Sequence, residues 1–314
     1  MNRFTVSTKL LLKTLFPLPY VWLVLFVVLF LPLSLFGQVI TENITQVARC
    51  NCCALKKTPH TINSKIDEGS GLTAWNGKLW THNDSGRQTL FAMDSLSYNL
   101  LEEYKLPVKN VDWEEITQDS RFLYIGNFGN NGGDRKQLPI YRISKEKLLQ
   151  HKVVLDTISF EWPKTSDSGS PKQINFDCEA MIVVNDSLLL FTKEYKERRC
   201  SRVFRLPATP THHIAEYVTT LKTRTLITGA TYFPESRRVI LCGYSMLLSP
   251  RIVTFTLSGT NVITKAKQIR VRGYFRQNEG VASFNGTDYY LIGEATNLVL
   301  WKNKPRISKV TIEP

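Results

Sequence analysis

Three glutamates hold the same place in three copies of a repeated phrase. They are Glu114 in Asp112-Trp-Glu-Glu-Ile116, Glu179 in Asp177-Cys-Glu-Ala-Met181 and Glu279 in Gln277-Asn-Glu-Gly280. Asp112 and Asp177 stand two residues before the first two of them. Residues i and i+2 of a strand share a face, so each Asp/Glu pair points together. Like charges this close repel and raise one another's pKa unless a cation compensates. A turn cap needs no such crowding, so the set reads as a site for a divalent cation. Any one of these residues, taken alone, reads first as a cap that hydrogen-bonds its local backbone.

A second family of polar residues lies in loops. These are His82-Asn-Asp-Ser-Gly86, the stretch Asn127 to Arg135, Thr192-Lys-Glu194, Gly243-Tyr244 and Gly293-Glu294. Their side chains are mostly hard oxygens, which suit Ca²⁺ better than zinc. The candidate metal ligands are Glu114, Glu179 and Glu279. The candidate ligand-binding residues are Glu68, Asn83, Asp84, Asp112, Asn127, Asp177, Lys193 and Asn278. Ca²⁺ is the candidate cofactor, and no residue is assigned as catalytic. A Gly-x-Ser-x-Gly elbow is absent, which argues against a serine esterase of that type.

These positions need a scaffold that repeats. Units beginning near Glu68, Asp112, Asp177, Ile227 and Gln277 share one grammar: a polar start, a short apolar strand, an Asn/Asp/Gly/Ser turn and a second strand. Third strands are expected at 90–93, 140–143, 203–206, 252–255 and 298–301. Fourth strands are expected at 100–106, 153–162, 214–221, 262–271 and 308–313. One short helix fits Ser144 to Gln150. Four antiparallel strands per unit, recurring about every 45 to 65 residues, mark an all-β chain folded as a β-propeller. Five blades are favoured. Six are possible if Thr61 to Ile66 completes the last blade or the long second unit hides an extra pair. A β-sandwich would have similar strands but would not explain the recurring phrase. In a propeller, the strand starts and the second set of loops open at one mouth of the central channel.

Outside the propeller, expected over residues 65–314, lie two further segments. Residues 1–37 carry Arg3, Lys9 and Lys13 before an apolar run from Leu15 to Phe36, long enough to cross a bilayer. This is a signal peptide or an N-terminal membrane anchor, and both export the remainder of the chain. Residues 38–64 read as a linker carrying Cys50, Cys52 and Cys53. No His or Cys follows this cluster at zinc-finger spacing. Cys178 and Cys242 sit in apolar strands, as small buried hydrophobes do.

The net charge is +13, but the Lys and Arg residues are scattered and no nucleic-acid motif accompanies them. The expected partners are a small polar ligand or an envelope protein, with no nucleic acid and with membrane contact only through the N-terminal segment. The expected form is a monomer.

His82-Asn-Asp-Ser-Gly86, Asp112-Trp-Glu-Glu-Ile116, Ile125-Gly-Asn-Phe-Gly-Asn-Asn131, Asp177-Cys-Glu-Ala-Met181, Ile227-Thr-Gly-Ala-Thr231 and Asn278-Glu-Gly280 resemble a set of exported, Bacteroidetes-type bacterial propeller proteins. The set is distantly similar to phytase-like esterase and SdiA-regulated propellers. The resemblance covers about residues 65 to 313. It implies a propeller, and through the phytase-like group a calcium-bound acidic mouth that takes phosphate esters. The phosphate-binding basic residues of that group have no clear match in this chain. Three functions follow as expectations: cation or polar-ligand binding at the mouth, metal-assisted hydrolysis of a phosphate or carboxylic ester, or an interaction scaffold at the cell envelope.

Overall fold

Short inner strands buried on both faces and outer strands of alternating burial build this chain. The computed structural model describes residues 43–50, 54–164, 176–195, 200–259, 262–273, 277–298 and 301–313. The apolar run 15–36 lies outside the described residues, as do Cys52 and Cys53. Among the described residues no helix is long and apolar enough to cross a membrane.

Three strands precede the first blade: β1 (Ile44–Gln46), β2 (Ala48–Arg49) and β3 (Thr58–Thr61). Blade one is β4 (Gly69–Trp75), β5 (Lys78–Asn83), β6 (Thr89–Asp94) and β7 (Leu100–Lys105), in that order from the axis. Blade two is β8 (Glu115–Gln118), β9 (Phe122–Gly126), β10 (Leu138–Ser144) and β11 (Leu155–Glu161). A short helix, α1 (Lys145–Leu149), joins its last two strands and is capped by the Ser144 side chain. Blade three is β12 (Cys178–Val184), β13 (Ser187–Thr192), β14 (Ser201–Pro207) and, after the short β15 (His212–Ile214), β16 (Glu216–Lys222). Blade four is β17 (Leu226–Phe233), β18 (Arg238–Tyr244), β19 (Pro250–Ser258) and β20 (Val262–Arg270).

Blade five corrects the expected strand order. Its inner pair is β21 (Gly280–Ser283) and β22 (Asp288–Gly293). Residues 298 and 301, expected in a third strand, belong instead to a small hairpin of β23 (Thr296–Leu298) and β24 (Trp301–Asn303). The third strand is β25 (Arg306–Thr311), and the fourth is β3 from the start of the described chain, paired antiparallel to it. The closing strand thus lies at Thr58–Thr61, just before the expected Thr61 to Ile66. Among the described residues the ring has five blades and no sixth.

Residues 43–50 and 54–61, within the stretch expected as a linker, are laid along the blade edges. Strand β1 pairs parallel to β16, β2 parallel to β20, and β3 antiparallel to β25. The segment therefore straps blades three, four and five in turn. Strand β15 covers the edge of β11 likewise. Covered edges offer no free ladder to another chain. Cys50 within the strap is disulfide-bonded.

Five hydrophobic clusters fill the five gaps between neighbouring blades. Leu72, Phe91 and Ile292 pack between blades five and one, and Trp80, Trp113 and Ile125 between one and two. Phe128, Met181 and Phe204 fill the next gap, then Ile182, Leu241 and Val253, then Cys242, Val281 and Tyr289. Each strand face thus buries its apolar set against the next blade, which closes the ring.

The axis is packed shut. A Cβ on Gly280 would lie 2.5 Å from the carbonyl carbon of Gly71, and one on Gly229 would lie 2.8 Å from Gly280 Cα. Gly71, with φ at +67°, donates its N–H to the Glu279 carbonyl at 2.7 Å. Only glycine allows this approach. The remaining space is taken by Glu115, which is fully buried. Its carboxylate accepts the N–H of Ala230 at 2.5 Å and of its neighbour Ile116 at 3.0 Å. Met181 and Leu72 add further backbone donors. One side chain therefore ties blades one, two, three and four together.

Candidate functional site

Glu114, Glu179 and Glu279 each stand at or just before the start of an innermost strand, as the repeat requires. All three are buried. The loop after β13 brings Lys193 among them, and its Nζ lies 2.7 Å from Glu179 Oε1. This loop is braced from below. Thr192 Oγ1 donates to Glu194 Oε1 at 2.7 Å, Arg202 Nη1 donates to the same oxygen at 2.8 Å, and the Lys193 N–H donates to the Asp177 carbonyl. The Tyr195 and Tyr244 rings flank the ammonium at 5.2 and 5.8 Å. Burial opposes the lysine's charge, but Glu179 and Glu279 hold its pKa well above the usual value.

One ammonium does not neutralise this cluster. Burial, then the charges of Glu179 and Asp112, push the Glu114 carboxyl well up. Burial raises Glu179 as well, with Lys193 pulling against it. Glu279 is raised to about 8, by burial first, with Lys193 opposing and Glu294 adding to the rise. Asp177 rises by burial while the Asn130 N–H, 3.0 Å from its Oδ1, pulls it down. Its other oxygen, Oδ2, is buried with no hydrogen-bond partner among the described residues.

A second, outer group of carboxyls lies across blades one, two and five. Asp84 is raised to about 7 by burial, by a hydrogen bond with the Glu68 carboxyl, and by the charges of Glu68, Glu294 and Asp112. No cation is among the leading influences on it. Asp84 Oδ1 is a further buried oxygen with no partner among them. Glu68 also accepts from Ser85 Oγ at 2.6 Å. Gly129 links the two groups. A Cβ there would lie 2.3 Å from Asp112 Oδ2 and 2.4 Å from Glu114 Oε1, so a missing side chain is what lets these carboxyls converge.

Solved structures of widely different sequence show a distant likeness to this chain. A gluconolactonase from Xanthomonas campestris is 11% identical, with 84% of this chain and 97% of that chain covered, at a TM-score of 0.46. The WD40 repeats of RRP9 are 8% identical, with 78% and 67% covered, at 0.40. Hydrazine synthase from Kuenenia stuttgartiensis is 9% identical, with 80% and 65% covered, at 0.39. No family model matches the chain, and no curated protein does. The site must therefore be read from its own geometry.

That geometry sorts the sequence-derived residues. Glu68, Asp84, Asp112, Glu114, Asp177, Glu179, Lys193 and Glu279 face one another at the mouth. Three amides do different work. Asn83 Nδ2 donates to the Lys65 carbonyl and to Asp67 Oδ1. Asn127 Nδ2 donates to Tyr141 Oη, while its Oδ1 accepts the Asp112 N–H at 3.1 Å. Asn278 is buried beside the cluster with its Nδ2 lacking a partner among the described residues, and its carbonyl accepts from Thr228 Oγ1. No group of three or more His, Cys, Asp or Glu side chains stands in metal-holding geometry among the described residues.

Two residues outside the sequence-derived set matter. Glu294 was visible as the carboxylate of a Gly-Glu loop. Glu115 adjoined Glu114 in the motif, and strand alternation alone sends it the other way, into the axis.

Proposed function

We propose that the mouth of this propeller binds a small cationic ligand: a divalent metal ion or a compound bearing an ammonium group. The observation that carries this reading is Asp84. Its strongest electrostatic neighbours are three carboxyls, and one of its oxygens is buried without a partner among the described residues. Half-buried carboxyls crowded together in this way, with the exposed Glu68 at their rim, hold protons or take up positive charge. Glu68, Asp84, Asp112 and Glu294 form the receiving side, and Lys193 fixes the inner carboxyls behind them. Ca²⁺ fits the donor type, since every donor is a hard oxygen. Closing a metal cage requires these side chains to move, because no three of them are preset for a metal. An ammonium ligand needs only acceptors around it.

Calorimetric titration with CaCl₂ and, separately, with spermidine tests the reading. Saturable binding of either, weakened at least tenfold in Asp84→Asn and accompanied by proton release at pH 6, supports it. Absence of binding of both at millimolar concentration ends it.

A second reading rests on the Glu68–Asp84 pair. Asp84, raised to about 7 with the Glu68 carboxyl beside it, can hold or release a proton at neutral pH. Such a pair supplies a general acid and a general base for hydrolysis of a phosphate or carboxylic ester. An ester and phosphomonoester panel tests it, and inertness of the wild-type chain with Ca²⁺ counts against it. On either reading we place the mouth outside the inner membrane, because the apolar run 15–36 follows a basic start.

A further inference from the structure

Four arginines from distant parts of the chain meet on blade four with no carboxylate among them. Arg251 on β19 stands directly opposite Arg270 on β20. Gln268, two residues before Arg270, stands opposite Arg49 of the strap. Residues opposite one another, and residues two apart, share a sheet face. Arg49, Arg251, Gln268 and Arg270 therefore all point to the same side. That side faces blade three, because Val253 and Ala266, at the same parity on the two strands, belong to the core between blades three and four. The connection between those blades supplies Arg224, whose carbonyl accepts from Arg251 Nη1 at 2.9 Å.

The floor of this patch is preset for donation. Gln268 Oε1 accepts from Thr223 Oγ1 at 2.8 Å, Thr225 Oγ1 at 3.0 Å and the Arg224 N–H at 3.2 Å. Three donors fix which end of the amide is oxygen, so the Nε2 donors are left to point elsewhere. Among the described residues Arg251 Nε is buried with no hydrogen-bond partner. Among the described residues, none of the four arginines has an ion pair.

Like charges directly opposite on neighbouring strands destabilise a sheet. Here such a pair is joined by two more guanidinium groups, which is a cost without a structural return. Burial and the charges of Arg49, Arg224 and Arg270 lower the Arg251 pKa, the mark of an uncompensated cluster. The guanidinium fork matches the paired oxygens of phosphate and sulfate.

We propose that Arg49, Arg224, Arg251, Arg270 and Gln268 form a binding site for a phosphate or sulfate group at the outer end of the groove between blades three and four. Arg251, Arg270 and Arg49 lie on the third, fourth and fifth strands of the blade, two or more strand spacings of about 4.8 Å from the innermost strand. Arg224 joins them from the connection before that innermost strand. The site is separate from the acidic mouth and does not depend on what the mouth binds.

The test uses the full chain in chloride buffer at matched ionic strength. Thermal melting and calorimetry are run with inorganic phosphate and sulfate, and flotation with vesicles of phosphatidylcholine with and without phosphatidylglycerol. Saturable binding of the free anion assigns a soluble ligand, and binding of the anionic vesicles alone assigns a lipid headgroup. Arg270→Gln, an exposed position, is expected to melt higher than wild type without anion and to weaken binding at least tenfold. Lys267→Gln, on the same strand but the opposite face, is expected to change neither. Binding to neither probe overturns the proposal, and so does equal weakening by Lys267→Gln.

Discussion

The Nζ of Lys193 lies 2.7 Å from Glu179 Oε1, with only 7% and 4% of the two side chains exposed. This pair joins a loop of blade three to the start of the same blade's inner strand. It also supplies the positive charge that lets three neighbouring carboxyls share the mouth. Removing the lysine leaves the carboxyls buried together without a counter-charge.

Lys193→Met is therefore expected to destabilise the fold by about 3–5 kcal/mol at pH 8. The lysine's pKa is raised, so its contribution is complete below the ordinary lysine value and is lost as pH climbs from that value through the raised one. The carboxyls set the pH dependence of the defect, since they accept protons on acidification. Urea unfolding at pH 8 and pH 5 should show the smaller loss at pH 5. Equal losses would contradict the counter-charge role.

Asp84 and Glu279 make the protein less stable as pH rises. Their pKa values stand at about 7 and about 8 in the fold, against ordinary values of 3.8 and 4.5. Between the lower and upper values the folded chain holds more protons than the unfolded one, so stability falls with increasing pH across that window. Melting scans from pH 5 to 8.5 should show a declining midpoint. Asp84→Asn should flatten the decline and melt above wild type at pH 8.

Glu115 is expected to be the least replaceable acid of the chain. Burial pushes its carboxyl pKa up, while the N–H groups of Ala230, Ile116, Met181 and Leu72 hold it down. Glu115→Ala strands these donors in a sealed axis, at about 1–3 kcal/mol for each unsatisfied group. The variant should be insoluble or lose its near-ultraviolet dichroism, and Glu115→Gln, which keeps an acceptor oxygen, should fold with a lowered midpoint. A soluble alanine variant with a native midpoint would show that the axis does not need the carboxylate.

Gly129→Ala addresses the mouth with less risk to the ring. The added methyl would overlap Asp112 and Glu114, and the loop from 127 to 135 must shift. Cation binding should fall at least tenfold while far-ultraviolet dichroism stays native. Unaltered binding would mean that Asp112 and Glu114 need not converge.

Much of the architecture is legible in the residues themselves. The recurring polar start, apolar strand and turn locate the inner hairpin of every blade, because strand periodicity and turn chemistry are local properties. The fifth blade is legible only in part. Nothing near residues 298–301 reveals that the third strand begins at Arg306, or that the fourth comes from Thr58–Thr61. Ring closure pairs residues about 250 positions apart, and no local pattern encodes such a pairing.

The candidate site divides in the same way. The sequence by itself determined that Glu114, Glu179 and Glu279 would be equivalent and would lie at one mouth, since equivalence follows from repetition. Only the tertiary structure decided their electrostatics. It set Lys193 against Glu179, crowded Asp84 with Glu68, Glu294 and Asp112, and gave Glu115 backbone donors from four blades. It also gathered Arg49, Arg224, Arg251 and Arg270, which look scattered along the chain, onto one sheet face. A pKa or a binding patch depends on distances in space and on burial, and both are set by packing between blades rather than by order along the chain.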